Sequence, residues 1–174
     1  MVDRDGVLNE EILREDKTFG SPRSLPELKL NMDNLLELNS LISLGIVVVV
    51  ISNQPDISAN KLRYEDLLKM HQELFEKCRF DAILWCPHLG IESCSCRKPK
   101  PSMLNWAKNR YGGSNKRNIY VGDRITDMEA ARNSNSIGIH LIQNSHLCAD
   151  LTHYHAKSIA DIKNIYWEES AIQI

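Results

Sequence analysis

Residues 46–51 read IVVVVI, a run of β-branched side chains without a polar break. Such a run cannot alternate a wet face with a dry one, so it predicts a strand covered on both sides, as in a parallel sheet between helices. The flanking sequence agrees. Asn31 can cap a helix whose Leu35, Leu38, Leu41, Ile42 and Leu44 recur at helical spacing and which ends at Gly45. A second helix is expected over 60–77, carrying Leu62, Leu67, Leu68, His71, Leu74 and Phe75, followed by a strand FDAILW at 80–85. Beyond a proline-containing loop, Ser102 can cap a third helix through Arg110, NIYVG at 118–122 reads as a strand, Thr126 can cap a fourth helix, and IGIHLI at 137–142 reads as a further strand. The alternation implies an α/β fold, Rossmann-like, with a central parallel sheet flanked by helices and right-handed crossovers.

In sheets of this kind ligands bind beyond the carboxyl ends of the strands. The polar clusters fall there: DRDG after a first possible strand, SNQ after the second, CPH after the third and GDRITD after the fourth. Asp3 and Asp5 lie two apart, so both can point into one cleft. Asp123 and Asp127 stand where a strand hands over to a helix. Carboxylates crowded in this way repel one another unless a hard cation neutralises them, and Mg²⁺, which prefers oxygen ligands, is the best candidate. A carboxylate can also attack phosphorus while a second one protonates the leaving oxygen. Ser52, Asn53 and Lys98 are of the type needed around a phosphoryl group, and the RKPK run supplies local positive charge.

That local charge matters because the chain as a whole has little. With 21 basic and 23 acidic residues the net charge is -2, which suggests neither a nucleic-acid arm nor a polybasic membrane anchor. No basic stripe interleaves with aromatics, which speaks against a nucleic-acid substrate. No apolar run approaches the roughly 18 residues that cross a membrane, and there is no hydrophobic signal segment, so a cytoplasmic protein is expected. A chain of 174 residues, 43% hydrophobic, fits one domain over 1–174 with a single core, expected to be a monomer. The five cysteines are odd in number and uneven in spacing, which argues for reduced thiols.

Cys86, His88, Cys94 and Cys96 form a C-x-H, five residues, then C-x-C, in a loop about 86–96. Four such ligands can close a tetrahedral shell around a structural Zn²⁺, although free thiols satisfy the same spacing. Cys78 and Cys148 read as small buried residues. His153 and His155 read as a surface turn, His71 as a packed helical residue, and Trp85, Trp106 and Trp167 as core or rim.

DRDGVLN, ISNQ, CRKPKP and VGDRITD, in this order, resemble the four motifs of the haloacid dehalogenase (HAD) superfamily of phosphatases. More narrowly the chain resembles the D-glycero-D-manno-heptose 1,7-bisphosphate 7-phosphatases and the histidinol-phosphate phosphatases, over most of its length. The resemblance implies Asp3 as nucleophile and Asp5 as general acid and then base. It implies Ser52 and Lys98 on the phosphoryl group and Arg97 on the rest of a small phosphorylated sugar. Asp3, the Asp5 carbonyl and Asp123 would bind Mg²⁺, with Asp127 behind them, and zinc would occupy the cysteine loop. The five-residue gap in that loop resembles the histidinol-phosphatase form. A module that keeps the fold and binds phosphate without catalysis is the reading from another class.

Only 46 residues lie between Asp5 and Ser52 and 45 between Ser52 and Lys98, so no separate cap domain is expected and loops must shape the pocket. Arg23, in SPRSLPEL, can meet a second anionic group or be a solvated loop residue. The family usually has TNQ followed by a small residue and Gly, where this chain has SNQPD; the hydroxyl is kept, and Asp56 is an extra acid able to shift substrate preference. Only Met1 and Val2 precede Asp3, fewer than the about five residues of a typical strand. The expectation is a natural chain that starts upstream, with Met1 inside the strand, or a copy impaired by truncation.

Overall fold

The computed structural model describes residues 1–112, 118–142, 152–163 and 165, and in it the first three residues run through the middle of a parallel sheet. Val2 bridges in parallel to Val50 on one side and to Val121 on the other. The backbone bonds Val2 N to Val49 O (3.0 Å), Ile51 N to Val2 O (2.8 Å) and Asp3 N to Val121 O (2.8 Å) hold it there.

In chain order the elements are β1 (Ile12–Leu13), β2 (Phe19–Gly20), a 3-10 turn (Leu25–Glu27), α1 (Met32–Ser43), β3 (Val49–Asn53), α2 (Tyr64–Lys77) and β4 (Ala82–Cys86). They continue with α3 (Ser102–Tyr111), β5 (Ile119–Gly122), α4 (Ile125–Asn133), β6 (Ile137–Leu141) and β7 (Tyr154–Ala156). β4 pairs with β3 from Val49↔Ala82 to Asn53↔Cys86, β5 with β6 from Ile119↔Ile137, and β6 with β7 from Ile139↔Tyr154, all parallel. The residues at 1–3 join the two halves, giving the order β4, β3, 1–3, β5, β6, β7. Between Asp5 and α1 the chain carries only the antiparallel β1–β2 hairpin and the 3-10 turn.

The valine run behaves as its composition requires. Val50 packs with Val2, Leu35, Leu38 and Ile139 on one face, while Val49 and Ile51 pack with Leu104, Tyr120 and Ala130 on the other, so neighbouring residues are buried on opposite sides. β3 nevertheless starts at Val49 rather than Ile46. Ile46 N bonds back to Leu41 O to close α1, and Val48 N is taken by the Asp81 carboxylate. α2 starts at Tyr64, not residue 60, because Lys61 N and Leu62 N both turn back to Asp56 O. α3 has Pro101 at its N-cap, with Ser102 as first helical residue, and α4 is capped at Arg124, two residues ahead of Thr126.

The His153 and His155 reading is corrected. His155 lies in β7 opposite His140, and His153 receives the Gly138 N–H at Nδ1 (3.0 Å), so the pair edges the sheet and does not form a turn. Cys78 and His71 are buried as expected, Trp85 is half-buried and Trp106 is 49% exposed. Cys148 and Trp167 lie outside the described residues.

Gly122, where β5 ends, has no room for a side chain: a Cβ there would sit 2.4 Å from Asp127 Cβ. Gly122→Ala is expected to lower stability by about 1–3 kcal/mol, read from urea denaturation. Gly20→Ala, whose nearest neighbour is 3.8 Å away, should be near neutral by the same measurement.

Candidate active site

Four strand ends converge on one buried ammonium group. Asp3 leaves the central strand, Ser52 is the last residue but one of β3, Tyr120 belongs to β5 and Asp127 lies in the first turn of α4, while Lys98 arrives on the loop after β4. Lys98 Nζ is 2.8 Å from Asp3 Oδ1 and 2.7 Å from Asp127 Oδ1, and donates to Tyr120 OH (2.8 Å) and Ile51 O (3.2 Å). Burial alone would push this amine down, but Asp127 and Asp3 outweigh it and hold its pKa above the ordinary lysine value. Asn53 fixes the backbone of the same residue, accepting Lys98 N–H at Oδ1 (3.0 Å) and donating Nδ2 to Lys98 O (3.1 Å). Asn53 lines the pocket, but this clamp occupies its amide.

Asp127 is saturated: its Oδ1 takes Lys98 and Tyr120, and its Oδ2 accepts Arg124 N–H (3.1 Å), which caps α4. Asp123 is the opposite case. Both of its carboxylate oxygens are buried with no hydrogen-bond partner among the described residues. One carboxylate oxygen each from Asp3, Asp123 and Asp127 lies within 4.8 Å of the others. Burial, then Asp3 and Asp127, push Asp123 up to about 8. Burial and Asp127 push Asp3 up to about 7, against the opposing pull of Lys98. Unpaired buried oxygens in a cluster that resists ionisation are the donor set a hard divalent cation stabilises, so the residues present fit Mg²⁺.

Asp5 is held differently. The fully buried Arg4 grips it with Nη2–Oδ1 (2.8 Å) and Nε–Oδ1 (3.1 Å), Asn9 donates to Oδ1 (3.0 Å), and Ser21 and Gln54 donate to Oδ2 (2.9 and 2.7 Å). Burial would raise its pKa, but the Arg4 charge and these hydrogen bonds win and hold it below the usual carboxylate range. Ser52 Oγ receives the Gln54 amide (2.8 Å) and reaches Asp5 Oδ2 at 3.5 Å.

A polar cavity of about 390 Å³ opens over Asp3, Asp5, Ser52 and Lys98. Its lining includes the paired Arg23 and Asp56 together with Lys61, Arg97 and Arg124. Arg97 donates Nη1 to His88 O (3.0 Å), and Arg124 pairs with Glu11. A second cavity of about 170 Å³ lies among Val48, Ile119 and Ile162 and offers no carboxylate.

A model of HAD-hydrolase-like proteins matches residues 95–162. A D-glycero-beta-D-manno-heptose-1,7-bisphosphate 7-phosphatase of Pseudomonas aeruginosa is 33% identical over 137 residues, covering 76% of this chain and 74% of the relative. The chain belongs to the HAD phosphatases. The histidine biosynthesis bifunctional protein HisB of Blochmanniella floridana is 31% identical over 93% of this chain, which spans 50% of HisB. The fold of this HAD phosphatase also matches a D,D-heptose 1,7-bisphosphate phosphatase from B. bronchiseptica, complexed with magnesium and phosphate, at a TM-score of 0.79 over 97% of both chains and 23% identity.

Next to the pocket, Cys86, His88, Cys94 and Cys96 do converge. Cys86 Sγ lies 3.7 Å from Cys94 Sγ and 3.1 Å from Cys96 Sγ, and His88 Nδ1 lies 3.3 Å from Cys96 Sγ. Sulfurs bonded tetrahedrally to one zinc at about 2.3 Å sit about 3.8 Å apart, whereas a disulfide needs about 2.05 Å, so the spacing suits a shared metal. These four residues can hold one, and they frame Arg97 through His88 O.

Three polar residues of this HAD phosphatase escaped the sequence reading. Arg4 fills the gap between the two motif aspartates, Gln54 ends ISNQ, and Tyr120 precedes VGD; each is fully buried. A polar side chain beside a motif acid was the available signal, and only packing shows that it turns inward. The pKa directions set a pH dependence. Asp3 and Asp123 bind protons more tightly folded than unfolded, so the stability they contribute is full below about pH 4 and lost as pH rises to about 8. Asp5 acts with opposite sign at lower pH only. The buried Met1 amine, pushed down to about 5, and His71, pushed down to about 3, act with the opposite sign over pH 5 to 8. The carboxylate contribution is therefore read from Mg²⁺, which should raise Tm more at pH 8 than at pH 5; an increment that shrinks as pH rises would contradict the assignment.

Proposed function

We propose that this HAD phosphatase is a Mg²⁺-dependent phosphomonoesterase that acts on a small phosphorylated sugar through an aspartyl-phosphate intermediate. D-glycero-D-manno-heptose 1,7-bisphosphate, cleaved at its 7-phosphate, is the leading substrate. The observation that carries the reading is Asp3 sharing Lys98 with Asp127 beside the unpartnered Asp123, at the floor of a cavity with cationic walls. One domain over 1–174, working as a cytoplasmic monomer, completes the reading.

Asp3 attacks phosphorus through a carboxylate oxygen, and the ester P–O bond breaks as the leaving oxygen takes a proton from Asp5. Asp5 then takes a proton from water, whose oxygen attacks the same phosphorus and releases Asp3 and inorganic phosphate. As held by Arg4, Asp5 is ionised and suited to this second half; the first half requires it to turn toward the cavity and carry a proton. Ser52 Oγ and Lys98 Nζ hold phosphoryl oxygens, and Lys98 stays charged because two carboxylates face it. Asp3, the Asp5 carbonyl and Asp123 would hold Mg²⁺, which when bound would supply positive charge to the nucleophile and the phosphoryl group. Arg97, steadied by the cysteine loop with structural Zn²⁺, contacts the rest of the substrate, as does Arg23.

Histidinol phosphate is the second reading, favoured by the five-residue gap between His88 and Cys94 and by the likeness to HisB. A panel of heptose 1,7-bisphosphate, histidinol phosphate and hexose phosphates with Mg²⁺ separates the two; no turnover of any of them by folded, metal-loaded protein would favour a non-catalytic phosphate-binding module. Asp3→Asn should lower kcat at least about a thousandfold with the circular dichroism spectrum retained. Elemental analysis should find about one zinc per chain. Folded, active protein free of zinc would remove that part of the account.

A further inference from the structure

Arg23 is already engaged. Its Nε lies 2.6 Å from Asp56 Oδ2 and its Nη2 3.4 Å from Asp56 Oδ1, across 33 residues of sequence, on the wall of the 390 Å³ cavity. Both side chains keep part of their surface open, 31% for Arg23 and 17% for Asp56. Other rim cations are also paired, Arg14 with Glu27 and Arg124 with Glu11. Arg97 donates to the His88 carbonyl, and Lys61 acts on the Asp16 carboxylate only through its charge.

Pairing changes what Arg23 can recognise. An unpaired guanidinium on a cavity wall offers a planar fork that binds phosphate through two parallel N–H groups. Paired side-on to a carboxylate, Arg23 has much of its charge neutralised, its Nε–Nη2 edge is in use, and an incoming phosphate meets the Asp56 charge as well. What remains is the outer Nη1–Nη2 end of Arg23, its charge largely neutralised, beside the Asp56 acceptor. Adjacent sugar hydroxyls, each both donor and acceptor, match that arrangement without bringing charge.

We propose that Asp56 is a specificity-determining residue: by holding Arg23 it makes this wall a reader of sugar hydroxyls and not a clamp for a second phosphate. This deepens the sugar-phosphatase reading and rests on it. A second anionic group on the substrate is then left to the Lys61 and Arg97 parts of the rim. Asp56 can be changed without undoing the turn that carries it, because Lys61 N and Leu62 N bond to its backbone oxygen and, among the described residues, its side chain bonds only Arg23.

The test measures binding in an Asp3→Asn background, so that it does not depend on turnover. Titration calorimetry compares fructose 1,6-bisphosphate with fructose 6-phosphate on that protein, with and without Asp56→Asn. Freeing Arg23 should raise the preference for the bisphosphate, the ratio of the two Kd values, at least about fivefold, the scale of one charge-assisted hydrogen bond gained. Adding Arg23→Ala to Asp56→Asn should abolish that gain. Asp56→Ser, if Asp56→Asn folds poorly, should act in the same direction. An unchanged or smaller ratio, a gain that survives Arg23→Ala, or failure of either ligand to bind any of these proteins would overturn the proposal. Turnover of p-nitrophenyl phosphate by the unmodified chain with Mg²⁺ reports separately on the phosphatase reading.

Discussion

The arrangement depends on one buried ion. Lys98 Nζ sits between Asp3 and Asp127, at 2.8 and 2.7 Å, in a cluster where Asp123 adds a third carboxylate. Without that charge the carboxylates could not share so small a buried volume as anions, and they would hold protons instead. Even with it, Asp3 and Asp123 remain reluctant to ionise, which leaves the cluster short of positive charge. The deficit points to a divalent cation.

Much of the surrounding structure serves to keep Lys98 where it is. Asn53 clamps its backbone with two hydrogen bonds from the end of β3, and Asp127 spends its remaining oxygen on Arg124 N–H, tying the ion pair to the start of α4. The loop that delivers Lys98 carries the four converging sulfur and nitrogen atoms, and through His88 O it also steadies Arg97. Position, more than strength of any one contact, is what these links supply. The outer wall is built on another pattern, with paired charges that leave recognition to hydrogen bonding.

The sheet and the motif acids were legible because periodicity and strand ends report them directly. The valine run announced burial on both faces, and Ser52 and Asp123 stand at or just past strands that the pattern located, whereas Asp3, with only two residues before it, and Lys98, twelve residues beyond β4, were found through the resemblance of their motifs. Element starts were less legible: residues 46–48 look like strand but are taken up by the α1 closure and by Asp81, and residues 60–63 look helical but belong to a turn returning to Asp56. The inward-facing Arg4, Gln54 and Tyr120 were hidden, since a polar residue next to a motif reads equally well as solvated. The Arg23–Asp56 pair was hidden as a pair: each residue was visible, but nothing local links two positions 33 apart.

The central claim is that Asp3 becomes phosphorylated during turnover. Acid-quenching a reaction with excess substrate, reducing with borohydride and sequencing peptides by mass spectrometry tests it, because the reductant converts an acyl phosphate of aspartate to homoserine. Homoserine at position 3 alone is the predicted result. Homoserine at Asp5 or Asp123, or none at any aspartate while phosphate is being released, would contradict the account.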